Sequence, residues 1–283
     1  ACIMADGDRM GACLRELGDE KHHREFSAKL TSFAVEARKA VEGAGGSLVY
    51  AGGDDVLAFV SVSKALACAA ELQRVFARVM QEALRDRPEV KRPTLSVGIG
   101  IGHVLESMGQ LRELGRLAEK LAKSAALPAE HARRDALAVV VDKRSGGTVA
   151  WRAKWQPDPV ARLDEDVKLL GARLPLGKVF EVKRLLQRLP RPAALASESD
   201  ARRLDFLHVL DLEVRRILAR AGKGTDRDEE PEDALTPEAA GLTLGGADYG
   251  AAFAAVDAWV ARVLVATMFY EAQQALEPTG RAS

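Results

Sequence analysis

Residues 47–62 read SLVYAGGDDVLAFVSV, and their pattern is the main indication of the fold. Residues 47–51 follow a strand pattern, Gly-Gly-Asp-Asp turns the chain at residues 52–55, and residues 56–62 return as the hairpin partner. A short apolar run at residues 2–5 ends at Asp6 and predicts another strand. The sequence therefore predicts a hairpin with two acids in its turn, next to a first strand that also ends in an acid.

The segments around the hairpin alternate between strand and helix patterns. Helical periodicity predicts helices at residues 24–43, 64–84 and 111–123, and further strands are predicted at residues 94–104 and 136–143. The order is β-α-β-β-α-β with an added helix and strand. This is the ferredoxin-like plan of palm domains, an α+β fold in which helices cover one sheet face and leave the other free.

The strand at residues 94–103, TLSVGIGIGH, alternates bulky side chains with small ones. Its bulky residues point towards the predicted helices: Leu95, Val97, Ile99 and Ile101. Its small residues point the other way: Ser96, Gly98, Gly100 and Gly102. A face without side chains allows the close approach of a ligand or of another backbone.

After the Gly-Gly pair at residues 146–147 the alternation stops and helical patterns follow, at residues 159–170, 179–189, 201–221 and 250–276. We therefore predict two domains, a palm over residues 1–150 and an all-helical domain over residues 151–283. The acidic, proline-containing stretch at residues 223–237 predicts a solvated loop or linker. Arginines at positions 202, 203, 215, 216 and 220 predict a charged helix face or a surface for partner subunits or an RNA backbone.

Composition excludes a surface that is basic throughout. The 283 residues carry 41 basic and 41 acidic side chains, so contact with nucleic acid should be local or shared with partner chains. The three cysteines lack metal-ligand spacing and indicate reduced thiols in a cytoplasmic protein. The apolar stretch at residues 251–270 contains Asp257 and Arg262, which favours a buried helix over a membrane span. The chain begins inside a predicted strand without a methionine, so we expect sequence upstream.

Three acids are the candidate catalytic residues: Asp6, Asp54 and Asp55. Carboxylates are hard oxygen ligands that suit Mg²⁺ or Mn²⁺. Two ions about 4 Å apart can clamp the attacking and leaving oxygens of a phosphoryl transfer. Burying like charges together is costly without a cation, so this pattern predicts a metal site for a nucleoside triphosphate. The alternative is an ordinary solvated hairpin turn, in which Asp and Gly are common. Asp8 is either a further metal ligand or a cap for the helix that follows.

Three segments together resemble a known family. They are Met-Ala-Asp-Gly-Asp-Arg-Met-Gly at residues 4–11, Leu-Val-Tyr-Ala-Gly-Gly-Asp-Asp-Val-Leu-Ala at residues 48–58 and Lys-Arg-Ser-Gly-Gly at residues 143–147. This combination closely resembles the second palm of the large polymerase-cyclase subunit of type III CRISPR effector complexes, most of all the Cmr type. The resemblance covers about residues 1–150, and the helical domain follows in the expected order.

The resemblance implies an RNA-guided antiviral complex that, on binding matching target RNA, converts ATP into cyclic oligoadenylates; some relatives join ATP to S-adenosylmethionine instead. It implies Asp6 and Asp54 as the principal metal ligands, with the Gly7 carbonyl as an addition. Asp55 would assist the metals or help to activate the 3′-hydroxyl. Further residues would line the phosphate site or meet phosphates: Gly52, Gly53, Lys123 and Arg144, of which the last two are alternatively solvated surface charges.

The chain also departs from the family pattern. The first palm, the zinc module and the HD nuclease pattern are not in this sequence, so no nuclease activity is expected of it. Because two palms face each other across the nucleotides in this family, this fragment alone is expected to be inactive. Two other functions stay open: a scaffold palm that binds nucleotide without turning it over, and a diguanylate cyclase. The diguanylate-cyclase signature has an acid and then phenylalanine after Gly-Gly-Asp, whereas here Val56 follows Asp55.

Overall fold

The hairpin expected at residues 47–62 forms one edge of a mixed sheet. The computed structural model describes residues 1–124, 129, 132–143, 147–221, 234–244 and 248–276. The elements of the first part are, in chain order, β1 (Cys2–Asp8), α1 (Met10–Leu17), α2 (Glu20–Gly43), β2 (Ser47–Gly52), β3 (Asp55–Phe59), α3 (Val62–Ala83), β4 (Thr94–Ile101), α4 (Met108–Lys123), β5 (Ala136–Lys143) and β6 (Gly147–Lys154).

The strand order in the sheet is β2-β3-β1-β4-β5-β6. Strand β1 runs antiparallel to both β3 and β4, β5 is parallel to β4, and β6 is antiparallel to β5. The first four strands have the ferredoxin-like order, which confirms the predicted α+β palm plan with an added helix and strand. Two elements were not foreseen: the short helix α1 and the edge strand β6.

The register assigns side chains to the two faces of the sheet. Ile3 lies opposite Ala58 and Ile99, and helices α2 and α3 pack on this side, where Phe33 and Phe76 meet edge to face at 5.0 Å. Met4 lies opposite Leu57 and Gly98 and points the other way. Helix α4 covers part of this second face, so the face expected to be free is partly occupied.

Protein backbone occupies the space beside the glycines of β4. Their pattern allowed the close approach of either a ligand or another backbone, and the structure shows a backbone. A Cβ on Gly98 would lie 2.5 Å from the carbonyl carbon of Ala118, and one on Gly100 would lie 2.5 Å from that of Leu114. On the helix side, a Cβ on Gly115 would lie 2.7 Å from Cys2 Sγ. Because these glycines have no side chains, α4 lies directly on the sheet. The glycines therefore do not line a ligand site.

The sheet extends beyond the domain boundary expected at residue 150. Strand β6 pairs with β5 from Gly147 to Lys154, and the Trp155 indole donates a hydrogen bond of 2.9 Å to the Leu95 carbonyl. The chain divides into two compact units, Ala1–Ala161 and Arg162–Ser283. The later division has a physical reason: residues 147–154 complete the backbone hydrogen bonding of β5.

The second unit is helical. Its elements are α5 (Pro159–Ala172), which begins in the first unit, α6 (Leu176–Arg188), a 3₁₀ turn (Pro192–Leu195), α7 (Asp200–Ala219) and α8 (Tyr249–Gln274). Helix α8 is long and apolar enough to cross a membrane by length and composition, but 61% of its most apolar window is buried in the protein. Its Arg262 pairs at 2.6 Å with Asp166, which is only 1% exposed. Most of the predicted acidic loop at residues 223–237 lies outside the described residues.

The arginines of α7 are paired with acids of their own unit. Arg202 contacts Glu198, Arg203 contacts Asp200, Arg215 contacts Asp211 and Glu238, and Arg216 contacts Glu213. Solvent-exposed pairs of this kind contribute little to stability, about 0–1 kcal/mol each. They are the contacts that a charged, solvated helix face would make.

Candidate metal and nucleotide site

The candidate acids lie in β1 and in the adjacent hairpin. The strand expected to end at Asp6 continues to Asp8, Asp54 lies in the hairpin turn, and Asp55 is the first residue of β3. The antiparallel register runs from Cys2 opposite Phe59 to Ala5 opposite Val56. One further step along this register brings Asp6 opposite Asp55. On the other side, Asp6 lies opposite Ser96 of β4. The topology thus places Asp6 between the hairpin and β4; the sequence predicted the hairpin beside the first strand but not the position of β4 next to Asp6.

Gly7 makes room for the carboxylate of Asp54. A Cβ on Gly7 would lie 2.5 Å from Asp54 Oδ2 and 2.8 Å from its Cβ. Any larger residue at position 7 would therefore push Asp54 away from β1. The glycine holds open the space in which one of the two proposed principal ligands lies.

The two turn glycines have separate structural tasks. Gly53 has φ +65°, a left-handed conformation that side chains disfavour, so it allows the tight turn. At Gly52 a Cβ would lie 2.5 Å from Cζ of Tyr50, whose ring leans over the turn. The glycines thus shape the loop that carries Asp54 and Asp55.

Burial and mutual repulsion act on the acids of the turn. Burial raises the pKa of Asp54, the charge of Asp6 adds to the rise, and the backbone amides of Asp54 and Gly7 oppose it. Burial likewise raises the pKa of Asp55, and the charges of Asp6, Asp54 and Glu119 raise it further. These carboxylates lie close enough to repel one another, which is the electrostatic condition for binding a cation.

Replacing Asp55 by asparagine is expected to stabilise the protein in the absence of divalent cations. A carboxyl whose pKa is higher in the folded than in the unfolded chain costs folding free energy above its ordinary value of 3.8, and asparagine removes that cost. We expect a higher unfolding midpoint at pH 7 in chelator-containing buffer, worth less than about 1 kcal/mol because the side chain is exposed. The gain should shrink as the pH falls towards 3.8.

The matched control for this measurement is Asp86→Asn. Asp86 is an exposed aspartate in a turn, so its replacement should leave the midpoint unchanged. A lower midpoint for Asp55→Asn than for the wild type would contradict the repulsion between the acids.

Lys123 takes part in the cluster. Its Nζ lies 2.5 Å from Asp6 Oδ1 and 3.0 Å from Glu119 Oε1. Burial alone would lower the pKa of Lys123, but the bonds to Asp6 and Glu119 outweigh it and raise that pKa. Lys123 is therefore not a solvated surface charge, which was the alternative for this residue. Arg144, the other expected phosphate contact, lies outside the described residues.

Asp8 has a structural role that differs from both roles expected of it. It is 2% exposed, and its carboxylate accepts hydrogen bonds from Thr94 Oγ1 at 2.8 Å, Ser96 Oγ at 2.9 Å and the Asp135 amide at 2.9 Å. Burial raises its pKa, and these bonds oppose the rise. Its oxygens accept hydrogen bonds from β4 and from the residue that precedes β5. Asp8 is therefore neither a helix cap nor an open metal ligand.

Residues of α4 and β6 that sequence analysis did not single out support the site. Glu119 stands one turn before Lys123, a spacing that could have indicated the pair. Arg152 of β6 donates to the Ala122 carbonyl at 3.0 Å and to the Ala132 carbonyl at 2.7 Å, which holds the end of α4. Assigning residues 151–154 to the helical domain concealed Arg152, although the alternation of polar and apolar residues over 147–154 indicates a strand.

The donor chemistry fits a divalent cation. Among the described residues no three His, Cys, Asp or Glu side chains are grouped as a ready coordination shell. The ammonium of Lys123, however, shows that a cation is stabilised beside Asp6, and Gly7 keeps the space for Asp54. The three cysteines are buried and unbonded; burial raises their pKa to about 11, so they are not metal ligands.

Comparison with known proteins relates the first part of the chain to one family. The family model described as "Cas10/Cmr2, second palm domain" matches residues 1–138. No curated protein matches the chain significantly. The solved guanylyl cyclase Cya2 is 14% identical with a TM-score of 0.32, and covers 53% of this chain and 88% of its own. An adenylate/guanylate cyclase/hydrolase from Silicibacter pomeroyi is 21% identical with a TM-score of 0.26, and the match covers 49% of this chain and 74% of the cyclase chain.

Those TM-scores are too low to support an argument, so the palm assignment depends on the observed strand order and on the family match. The matched range contains β1, the acid-bearing hairpin and α4, which together form the site described above. Residues 1–138 of the chain match the second palm domain of the Cas10/Cmr2 family.

Proposed function

We propose that this chain is a large-subunit fragment of a type III CRISPR RNA-guided complex that makes cyclic oligoadenylate from ATP when target RNA is bound. The observation that carries the proposal is that Asp6 of β1 interacts electrostatically with Asp54 and Asp55 of the adjacent hairpin, inside the region matched to Cas10/Cmr2. The same family match over residues 1–138 supports partners in such a complex, guide and target RNA reached through it, and a cytoplasmic location.

The acids and the turn glycines would have different roles in the reaction. Asp6 and Asp54 would hold Mg²⁺ or Mn²⁺, with the Gly7 carbonyl in reach, and Asp55 would assist them or help to activate the 3′-hydroxyl. Gly53 leaves the turn without a side chain, and a Cβ there would meet no atom within 4 Å, so a phosphate chain can approach its backbone; at Gly52 the ring of Tyr50 occupies the corresponding space. The divalent cations would supply neutralisation of triphosphate charge and a lowered pKa of the attacking hydroxyl.

The other side of the reaction depends on a second palm. Both acid-bearing elements lie at one end of a single sheet, and this chain provides one set of them in its described residues. We therefore propose that the isolated fragment binds nucleotide but does not turn it over, and that a facing palm completes the site.

The test is a product assay by mass spectrometry on the assembled complex containing this chain. With ATP, Mg²⁺ and matching RNA we expect cyclic oligoadenylate, and without the RNA a large loss of product. Nucleotide binding without product would indicate the scaffold palm, a product from GTP the diguanylate cyclase, and an adduct with S-adenosylmethionine the alternative transfer. Each of these outcomes contradicts the proposal.

A further inference from the structure

The ammonium of Lys123 lies between two carboxylates from different elements. Asp6 Oδ1 of β1 is 2.5 Å away and Glu119 Oε1 of α4 is 3.0 Å away. The Glu119 side chain is 15% exposed, against 38% for Asp6. The lysine thus connects the candidate metal site to a fourth carboxylate that is better shielded from solvent than the candidate ligand.

The position of this pair is fixed by the packing of α4. The helix backbone lies against Gly98 and Gly100, so it cannot move closer to the sheet without a steric clash or move away without losing packing contacts. Arg152 holds the Ala122 carbonyl, one residue before Lys123. Glu119 and Lys123 are one turn apart on this anchored helix. The distance between Glu119 and the acids is therefore a property of the fold.

A divalent cation at Asp6 would compete with the lysine. Mg²⁺ binds carboxylate oxygens at about 2.0–2.1 Å. An ammonium at hydrogen-bond distance from the same carboxylate would lie within a few ångströms of the ion, where the two positive charges repel strongly. A divalent cation and the Lys123–Asp6 bond therefore oppose each other. When that bond breaks, Glu119 is the partner that remains.

We propose that Lys123 is the internal cation that balances the acid cluster until a divalent cation displaces it, and that Glu119 is a positioning residue that then keeps its ammonium beside the site. This inference rests on the proposed ligation of a divalent cation by Asp6. It assigns Glu119 a task that acts through Lys123: without Glu119 the ammonium has only Asp6 to pair with and competes harder with the metal.

The experiment measures Mn²⁺ affinity of the full 283-residue chain by electron paramagnetic resonance, without nucleotide. Lys123→Met is expected to bind Mn²⁺ about tenfold more tightly, because a competing positive charge is removed. Glu119→Gln should bind it several-fold more weakly. In the double variant the effect of Glu119→Gln should vanish, since no lysine remains to be held.

Glu113→Gln is the matched control. Glu113 lies on the same helix and pairs with Arg116, with both side chains exposed, so its replacement should leave Mn²⁺ affinity unchanged. In metal-free buffer Lys123→Met should also lower the unfolding midpoint, and saturating Mn²⁺ should restore it. This second readout separates loss of the counter-ion from general damage to the fold.

The outcomes distinguish this inference from the proposed function. Unchanged or weaker Mn²⁺ binding by Lys123→Met would overturn the inference and leave the metal site standing. An equal loss from Glu119→Gln with and without Lys123 would show that Glu119 acts only as a charge, and its positioning role would be overturned. If neither the wild type nor any variant binds Mn²⁺, the proposed metal site fails and the inference fails with it.

Discussion

Asp54→Asn and Asp6→Asn are each expected to reduce oligoadenylate formation by the assembled complex at least about 100-fold. Asparagine keeps the size of the side chain but removes the charge that a divalent cation requires. Asp54 lies against Gly7, in space that a Cβ would fill, so its replacement acts at the position that the fold reserves for a carboxylate. The measurement is the initial rate of product formation with ATP and Mg²⁺.

Folding and assembly must be shown to survive these changes. Because the cluster is repulsive, the asparagine variant at position 54 should unfold no earlier than the wild type in metal-free buffer. Glu113→Gln, on the exposed face of α4, should retain full activity. If Asp54→Ala combined with Asp55→Ala retained full synthesis, the metal assignment would be wrong.

Gly98→Val is expected to have the largest effect on stability. A Cβ at this position would lie 2.5 Å from the Ala118 carbonyl carbon, and a backbone atom of a packed helix cannot yield as a flexible side chain can. Helix α4 would have to move away from the sheet and take Glu119 and Lys123 with it. We expect a loss of about 3 kcal/mol or more in the free energy of unfolding, measured by urea denaturation.

The control is a glycine with space around it. Gly43 ends α2, and a Cβ there would meet no atom within 4 Å, so Gly43→Ala should be neutral or slightly stabilising. A Gly98→Val protein with an unchanged denaturation midpoint would show that α4 is not seated on β4 as described. Mn²⁺ affinity should change together with stability, because Lys123 is displaced with the helix.

Much of the fold followed from local patterns. Alternation predicted a strand at residues 94–104 and helical periodicity a helix at residues 64–84, each within a few residues of β4 and α3. Strand β6 was missed because the alternation of strands and helices was expected to stop after the Gly-Gly pair at residues 146–147, and the helical domain was expected to start at residue 151. Helix α1 was missed because its eight residues are too few for a clear period.

The glycine pattern of β4 shows a limit of sequence reasoning. The sequence indicated a face open to close approach but could not say what approaches it. That answer depends on α4, which follows β4 in the chain and folds back on it. The same packing decides that Lys123 reaches Asp6, although the two residues are far apart in sequence.

Local patterns were enough to predict one acid on the first strand and two acids beside a tight turn, because strand alternation and the turn glycines are local properties of the chain. The contacts that surround these acids depend on tertiary packing. Asp8 accepts hydrogen bonds from residues 86 and 127 positions away, which makes it a structural acceptor and not an open ligand. Lys123 and Glu119 join the acid cluster because α4 lies directly on the sheet, where Gly98 and Gly100 of β4 have no side chains. Such contacts depend on packing between distant segments, and no local pattern encodes them.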